Sequence, residues 1–135
     1  MNEKIKEILS KYKTIAMVGV SKDDKKPSTI VMKYMQKYGF KVIPVNPSAK
    51  GQKILGEEVF GKLEDIKTSI DIVDVFRPST EATKYAEESV KIGAKVLWTQ
   101  LGIVNEEASE LAKKAGLKVI MDRCPKIELA KTILD

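Results

Sequence analysis

Hydrophobic and polar positions fall into two alternating rhythms along the chain. Short apolar runs occur at residues 14–20 (TIAMVGV), 41–45 (KVIPV), 70–76 (IDIVDVF), 95–98 (KVLW) and 117–121 (LKVIM). Runs of this length, rich in Val and Ile and bounded by Gly, Pro or Ser, read as buried parallel strands. Between them, apolar residues recur every three or four positions, the rhythm of amphipathic helices. Helices are expected over residues 2–12, with Ile5, Ile8 and Leu9 inward, and over 28–38, with Ile30, Val31, Tyr34, Met35 and Tyr38 at helical spacing. Three more are expected over about 79–92, 105–115 and 126–134. Pro27-Ser28, Ser79 or Thr80 as a cap, and Pro125 mark helix starts, while Gly39, Gly93 and Gly116 mark ends. Pro44 cannot donate to a ladder and points to a strand end. Residues 50–61 are less regular. Gly51 and Gly56 punctuate them, Ile54-Leu55 and Val59-Phe60 are expected to tuck under the sheet, and 63–66 to form a short helical turn.

Strand and helix thus alternate five times. That implies an α/β fold: a three-layer, doubly wound parallel sheet of five or six strands with helices on both faces, in one domain over residues 1–135. Right-handed crossovers leave few topologies, and a Rossmann-like order of the 3-2-1-4-5 type suits the length. In such sheets ligands lie beyond the strand C-termini where the winding reverses. The first and third strands flank that crevice and the second lies beside the first. Gly19-Val20-Ser21, Phe76-Arg77-Pro78 and Val45-Asn46-Pro47 therefore converge on one cleft.

Composition removes whole classes of chemistry. The chain has no histidine and one cysteine. An internal disulfide, a Ser-His-Asp or Cys-His arrangement, phosphohistidine chemistry and the usual structural zinc site all lack their residues. No apolar run is long enough for a membrane span, and the N-terminus lacks a signal peptide's apolar core, so a cytoplasmic location is expected. Twenty-four Lys and Arg against 19 Asp and Glu give a net charge of +5. The lysines are spread over every helix without an aromatic array, which argues against nucleic acid. A small polyanion, or plain solubility, explains the charge equally well. Nothing in the pattern decides an oligomeric state, and a homo-oligomer stays open.

The first strand, its turn and the following helix N-terminus bring spare backbone N–H groups and positive charge together, as a phosphate requires. An NAD site is disfavoured. The second glycine of the usual fingerprint is Ser21, the third is missing, and the second strand ends in Asn46 instead of an acid. No Walker loop is present. Lys22, Lys25 and Lys26 either rim the cleft or form a solvated loop balanced by Asp23 and Asp24, the better reading for the lysines alone. Arg77, at the mouth of the cleft, can bind a phosphate bidentately. Ser21 and Ser28 can donate hydroxyl hydrogen bonds. Cys124 at a helix N-terminus could form a mixed disulfide with a thiol ligand, although a small buried residue is the better reading. Asp71 and Asp74 fall on opposite strand faces, which spoils a paired-carboxylate site. They are expected to pair with backbone or with Lys or Arg at the strand's edges. Trp98 is expected in the core. Gln100 could bind ligand or tie down its loop, and Asp122 and Arg123 could pair with each other or with neighbours.

The stretches AMVGVS, KKPS, KVIPVNP, ILGEEVF, DIVDVFRPS, GAKVLWTQLGI and AGLKVIMDRCP, running from residue 16 to residue 125, together resemble the small single-domain CoA-binding proteins with a Rossmann-like fold. These are relatives of the CoA-binding domain of succinyl-CoA synthetase alpha subunits and ADP-forming acyl-CoA synthetases. The resemblance implies coenzyme A or an acyl-CoA across the switch point. Gly19, Val20 and Ser21 would meet the phosphates, with Lys26 and Ser28 nearby. Asn46 and Pro47 would border the nucleotide end, and Phe76, Arg77 and Pro78 would form the opposite wall. The family often has Arg where this chain has Lys26, which keeps the charge and loses the planar fork. The larger relatives use a histidine on a second domain. Without it, this chain is expected to bind and not to catalyse, the alternative being an NAD(P)-dependent oxidoreductase or a CoA-transferring enzyme subunit.

Overall fold

A computed structural model describes residues 3–134. Helix α1 (Glu3–Lys11) leads into strand β1 (Thr14–Val18), helix α2 (Pro27–Lys37) and strand β2 (Lys41–Val45). A small hairpin, β3 (Lys53–Ile54) and β4 (Glu57–Glu58), precedes β5 (Ile72–Val75). Then come α3 (Ala82–Lys91), β6 (Val96–Thr99), α4 (Glu106–Lys114), β7 (Lys118–Ile120) and α5 (Pro125–Leu134). The predicted strands and helices are all present within a few residues of their expected bounds; Asn2, the expected first residue of α1, lies outside the described residues.

The sheet order is β2-β1-β5-β6-β7, with every neighbouring pair parallel. Counting the five long strands alone, that is 2-1-3-4-5, which corrects the expected 3-2-1-4-5. The missing third strand has shrunk to one parallel bridge, Val45 to Phe60, on the outer side of β2. Phe60 donates to Pro44 O and accepts from Asn46 N–H there, so Pro44 sits in the edge strand of the five, where its missing donor costs least. The hairpin occupies the stretch read as irregular. Ile54 and Val59 are buried as expected, but Leu55 is exposed at its tip.

Side-chain alternation divides the core into two layers. Ile15, Met17, Ile72 and Trp98 face α1, α2 and α5, while Ala16, Val18, Val73, Val75 and Leu97 face α3 and α4. Both faces of the central strands are covered, which is why their sequences are continuously apolar. Two local expectations fail. Ser79 and Thr80 lie in a 3-10 turn (Ser79–Glu81) whose flanking residues make no side-chain cap, because the chain approaches α3 already helical and Glu81 has helical φ and ψ. By contrast Asn105 caps α4, accepting from Ala108 N–H at 2.9 Å. The core side of α2 is built by Val31, Met32 and Met35, and the predicted stripe members Ile30 and Tyr38 are exposed.

Candidate functional site

The three strand ends meet as the topology requires. Gly19 leaves β1 with φ +90°, donates to Val45 O at 2.8 Å, and lies beside Phe76, whose N–H donates to Val18 O at 2.8 Å. A Cβ at Gly19 would sit 2.6 Å from the Phe76 carbonyl oxygen and 2.9 Å from Arg77 Cδ. Glycine is therefore needed for its backbone angle and for the close approach of the segment that follows β5. Val20 turns its side chain fully into the core, leaving only its backbone toward the cleft.

The turn is knitted to the helix start. Buried Ser28 accepts from Ser21 N–H at 3.0 Å, and Ser21 Oγ accepts from Asp23 N–H at 3.0 Å. Thr29 Oγ1 lies 2.6 Å from Ser21 O and 2.9 Å from Asp23 O, so its single proton serves both carbonyls. Thr29 was missed in the sequence; its position two residues after the helix-opening Pro27 was the available signal. Asn46 is spent on structure. Its amide donates to Val20 O and its oxygen accepts from Ser48 N–H, both at 2.9 Å. It thereby ties the end of β2 to the end of β1.

The cations divide sharply. Arg77 is exposed at the mouth, but it is engaged bidentately by Glu81, at 3.1 and 2.8 Å. That bond holds the Glu81 carboxyl below the usual carboxylate range and raises Arg77. Lys22, Lys25 and Lys26 are exposed, and none of their side chains has a hydrogen-bonding or ionic partner among the described residues. Phe76 is half-buried against the core, and Pro78 is exposed at the start of the 3-10 turn. On the α3 side a cavity of about 350 Å³ opens beside Pro47. Val45, Pro47, Tyr85 and Ile92 line its walls, with Lys62 and Lys84 among its charged residues. Burial raises the Glu88 carboxyl there, and Lys84 pulls it back.

The other candidates lie outside these three strand ends. Cys124 is buried in the core layer beneath α2 and α5, which is the small-residue reading. Trp98 is core and donates to Arg123 O at 2.8 Å. Asp122 does not pair with Arg123 but accepts from Gly102 N–H at 2.7 Å. Asp71 accepts from Thr14 N–H at 3.4 Å, a backbone partner as expected. Asp74 departs from expectation. It is 1% exposed in the centre of the sheet and meets no cation among the described residues. Gln100 donates to both its oxygens, at 2.9 and 3.1 Å, so Gln100 ties its loop to the core. Burial pushes the Asp74 carboxyl up to about 7, against the opposing pull of that hydrogen bond. The void it shares with Leu9, Ile72, Trp98 and Pro125 has no room for a water molecule. Among the described residues no group of three or more acidic, Cys or His side chains could hold a metal, and no helix is long and apolar enough to cross a membrane.

Comparison with known proteins gives the family and the fold. The chain is 44% identical over 128 residues to the uncharacterized protein YneT of Bacillus subtilis, covering 95% of this chain and 93% of that protein. A solved structure from Thermus thermophilus, cell-free ID.343, superposes with a TM-score of 0.92 at 36% identity, covering 97% of this chain and 98% of the other. The ADP-forming acetate–CoA ligase of Methanocaldococcus jannaschii is 26% identical over 124 residues, which are 86% of this chain and only 17% of the ligase. The CoA binding domain model matches residues 13–130, nearly the full length, and the chain belongs to that family of CoA-binding domains.

Proposed function

We propose that the protein binds coenzyme A or an acyl-CoA at the ends of β1, β2 and β5, and holds or presents it without catalytic groups of its own. The phosphates lie against the Gly19-Val20-Ser21 turn, with Lys26 and the N-terminus of α2 at Ser28 nearby. Asn46 and Pro47 border the nucleotide, whose adenosine end enters the cavity beside Pro47. Phe76, Arg77 and Pro78 wall the other side. The observation that carries this reading is the convergence of three strand ends on one glycine, in a chain of the CoA-binding family, beneath a loop of cations with no partners of their own. The absence of catalysis is inferred from the residues at hand. The chain has no histidine, and the carboxylate with the most raised pKa, Asp74, is buried and held through both its oxygens by Gln100.

Thermal unfolding tests it. A ligand that binds only the folded state stabilises by mass action, by about 2.7 kcal/mol at a hundred times its Kd. Coenzyme A should raise Tm by several degrees, and NAD at equal concentration should raise it less. An equal response to both, or none to coenzyme A, would overturn the reading.

A further inference from the structure

The outer face of α2 carries more apolar surface than the core consumes. Ile30, Tyr34 and Tyr38 stand at i, i+4 and i+8, one continuous stripe along the helix. Ile30 is 44% and Tyr38 40% exposed, while Val31, Met32 and Met35 supply the buried side. Tyr34 is half-buried against the core, and its ring lies tilted at 47° to that of Tyr38 with centroids 4.7 Å apart. The stripe forms one wall of an open groove of about 640 Å³, which also takes in Leu55 from the hairpin tip and Lys126 from α5.

A second, independent feature points to the same groove. Leu55 occupies φ +50° and Gly56 φ +82°, the left-handed pair of a two-residue hairpin turn. Asn, Asp or Gly ordinarily fills the first of these positions. A leucine there is strained, and it gains no burial in return, being 37% exposed. The tip is nevertheless held in place. Gln36 donates to Leu55 O at 3.2 Å, and Lys41 binds Glu57 at 2.9 Å. The fold thus maintains a strained apolar residue beside the α2 stripe, where solvent is its present neighbour.

Charge selects the occupant. Lys33, Lys37 and Lys126 line the groove, against Asp24 as the acid in its lining. A second copy related by a twofold axis would set these cations facing one another. We propose that this groove is a docking surface for an acidic, amphipathic helical segment of a partner protein. Its apolar side would lie on Ile30, Tyr34 and Leu55, and its carboxylates would meet Lys33, Lys37 and Lys126. The groove runs from the hairpin tip to Asp24 and Thr29 at the outer edge of the turn after β1, so a docked partner borders the cleft and leaves the Gly19 turn itself uncovered.

Three synthetic peptides of about 18 residues, roughly five helical turns, test this by calorimetry and backbone chemical-shift mapping. One places Leu at i, i+3, i+4 and i+7 with Glu elsewhere, one shuffles that composition, and one replaces Glu by Lys. The acidic amphipathic peptide should bind at least about tenfold more tightly than the shuffled one, with shifts along residues 30–38 and at Leu55. Lys33→Gln with Lys37→Gln should cost about tenfold in affinity and leave Tm unchanged. Leu55→Gly should weaken binding while Tm holds or rises, because glycine relieves the backbone strain. Equal binding of the shuffled peptide would overturn the proposal, as would shifts confined to residues 22–26. So would concentration-dependent self-association that Ile30→Asp abolishes, or anionic lipid vesicles displacing the peptide.

Discussion

β1 and β5 run side by side in the middle of the sheet and handle charge in opposite ways. β1 is apolar to its last residue, and the polar chain after Gly19 carries its lysines out into solvent, without a partner among the described residues. β5 draws a carboxylate into the core at Asp74, and the arginine two residues past its end is already taken by Glu81. Both strands deliver charged residues to the same edge of the sheet, yet only the first leaves them available. Nearness to a strand end therefore says little about what a charge can do. The group that faces it decides, and that group can lie four residues on, as Glu81 does, or on another strand's loop, as Gln100 does.

Gly19→Ala attacks the contact between the two strand ends and should be the most destabilising substitution. The new methyl group meets the Phe76 carbonyl at 2.6 Å, on a backbone at φ +90°. Left-handed strain and a clash with main chain add to about 3 kcal/mol of lost stability. Gly39 is the control, since at φ +92° a Cβ there meets nothing within 4 Å. Gly39→Ala should lose only the strain, about 1 kcal/mol. Urea unfolding of the two variants measures both. Equal losses would mean that the β1 and β5 ends are not closely apposed.

Asp74→Asn tests the other side of the comparison. Burial raises the folded pKa of Asp74 to about 7, from the ordinary aspartate value of 3.8. Folding therefore favours the neutral acid. Below about pH 4 the side chain is neutral in both states and carries no penalty. As pH rises from 4 to 7 the unfolded chain ionises while the folded one resists, so stability falls, and it levels off above 7. Roughly three pH units at 1.36 kcal/mol each put the loss on the order of 4 kcal/mol. Asparagine cannot ionise and still offers Gln100 a hydrogen bond. The variant should be more stable than the parent by roughly 2–4 kcal/mol at pH 8 and should converge with it near pH 4. A parallel pH profile for the two proteins would show that Asp74 finds its charge compensated in the fold.

Much of this molecule is legible from period alone. The long strands are continuous apolar runs because helices cover both faces, and that leaves a plain mark in the sequence. The convergence of residues 19–21, 45–47 and 76–78 follows from winding and needs no side-chain detail. Pairing is what stayed hidden. Asp74 and Gln100 are 26 residues apart and meet only because β5 and β6 are neighbours. Arg77 and Glu81 are one helical turn apart, a visible spacing whose importance is lost once Arg77 is treated alone as a ligand group. The β3–β4 hairpin escaped because its strands are two residues long and Leu55 is not a usual turn residue. The third strand of the wider topology left only the Phe60 bridge, too short to show a period.

The smallest predicted effects separate the free cations from the engaged one. If the loop after β1 holds phosphate, Lys22→Gln, Lys25→Gln and Lys26→Gln together should weaken coenzyme A binding by on the order of thirtyfold, from about 0.5–1 kcal/mol per exposed contact. Arg77→Ala should cost only about threefold, since a phosphate must displace Glu81 to gain the guanidinium and the exchange nearly cancels. Glu81→Gln then sharpens the comparison. It releases Arg77 without touching the turn, and calorimetry should show coenzyme A bound about two- to threefold more tightly. The gain should disappear when Arg77→Ala is added, because Glu81 acts on the ligand only through that side chain. A gain that persists without Arg77 would assign Glu81 a direct repulsion of the phosphates. A loss in the single variant would mean that Glu81 positions Arg77 for the ligand, and the β5 end would then belong with the β1 turn as part of a preorganised grip.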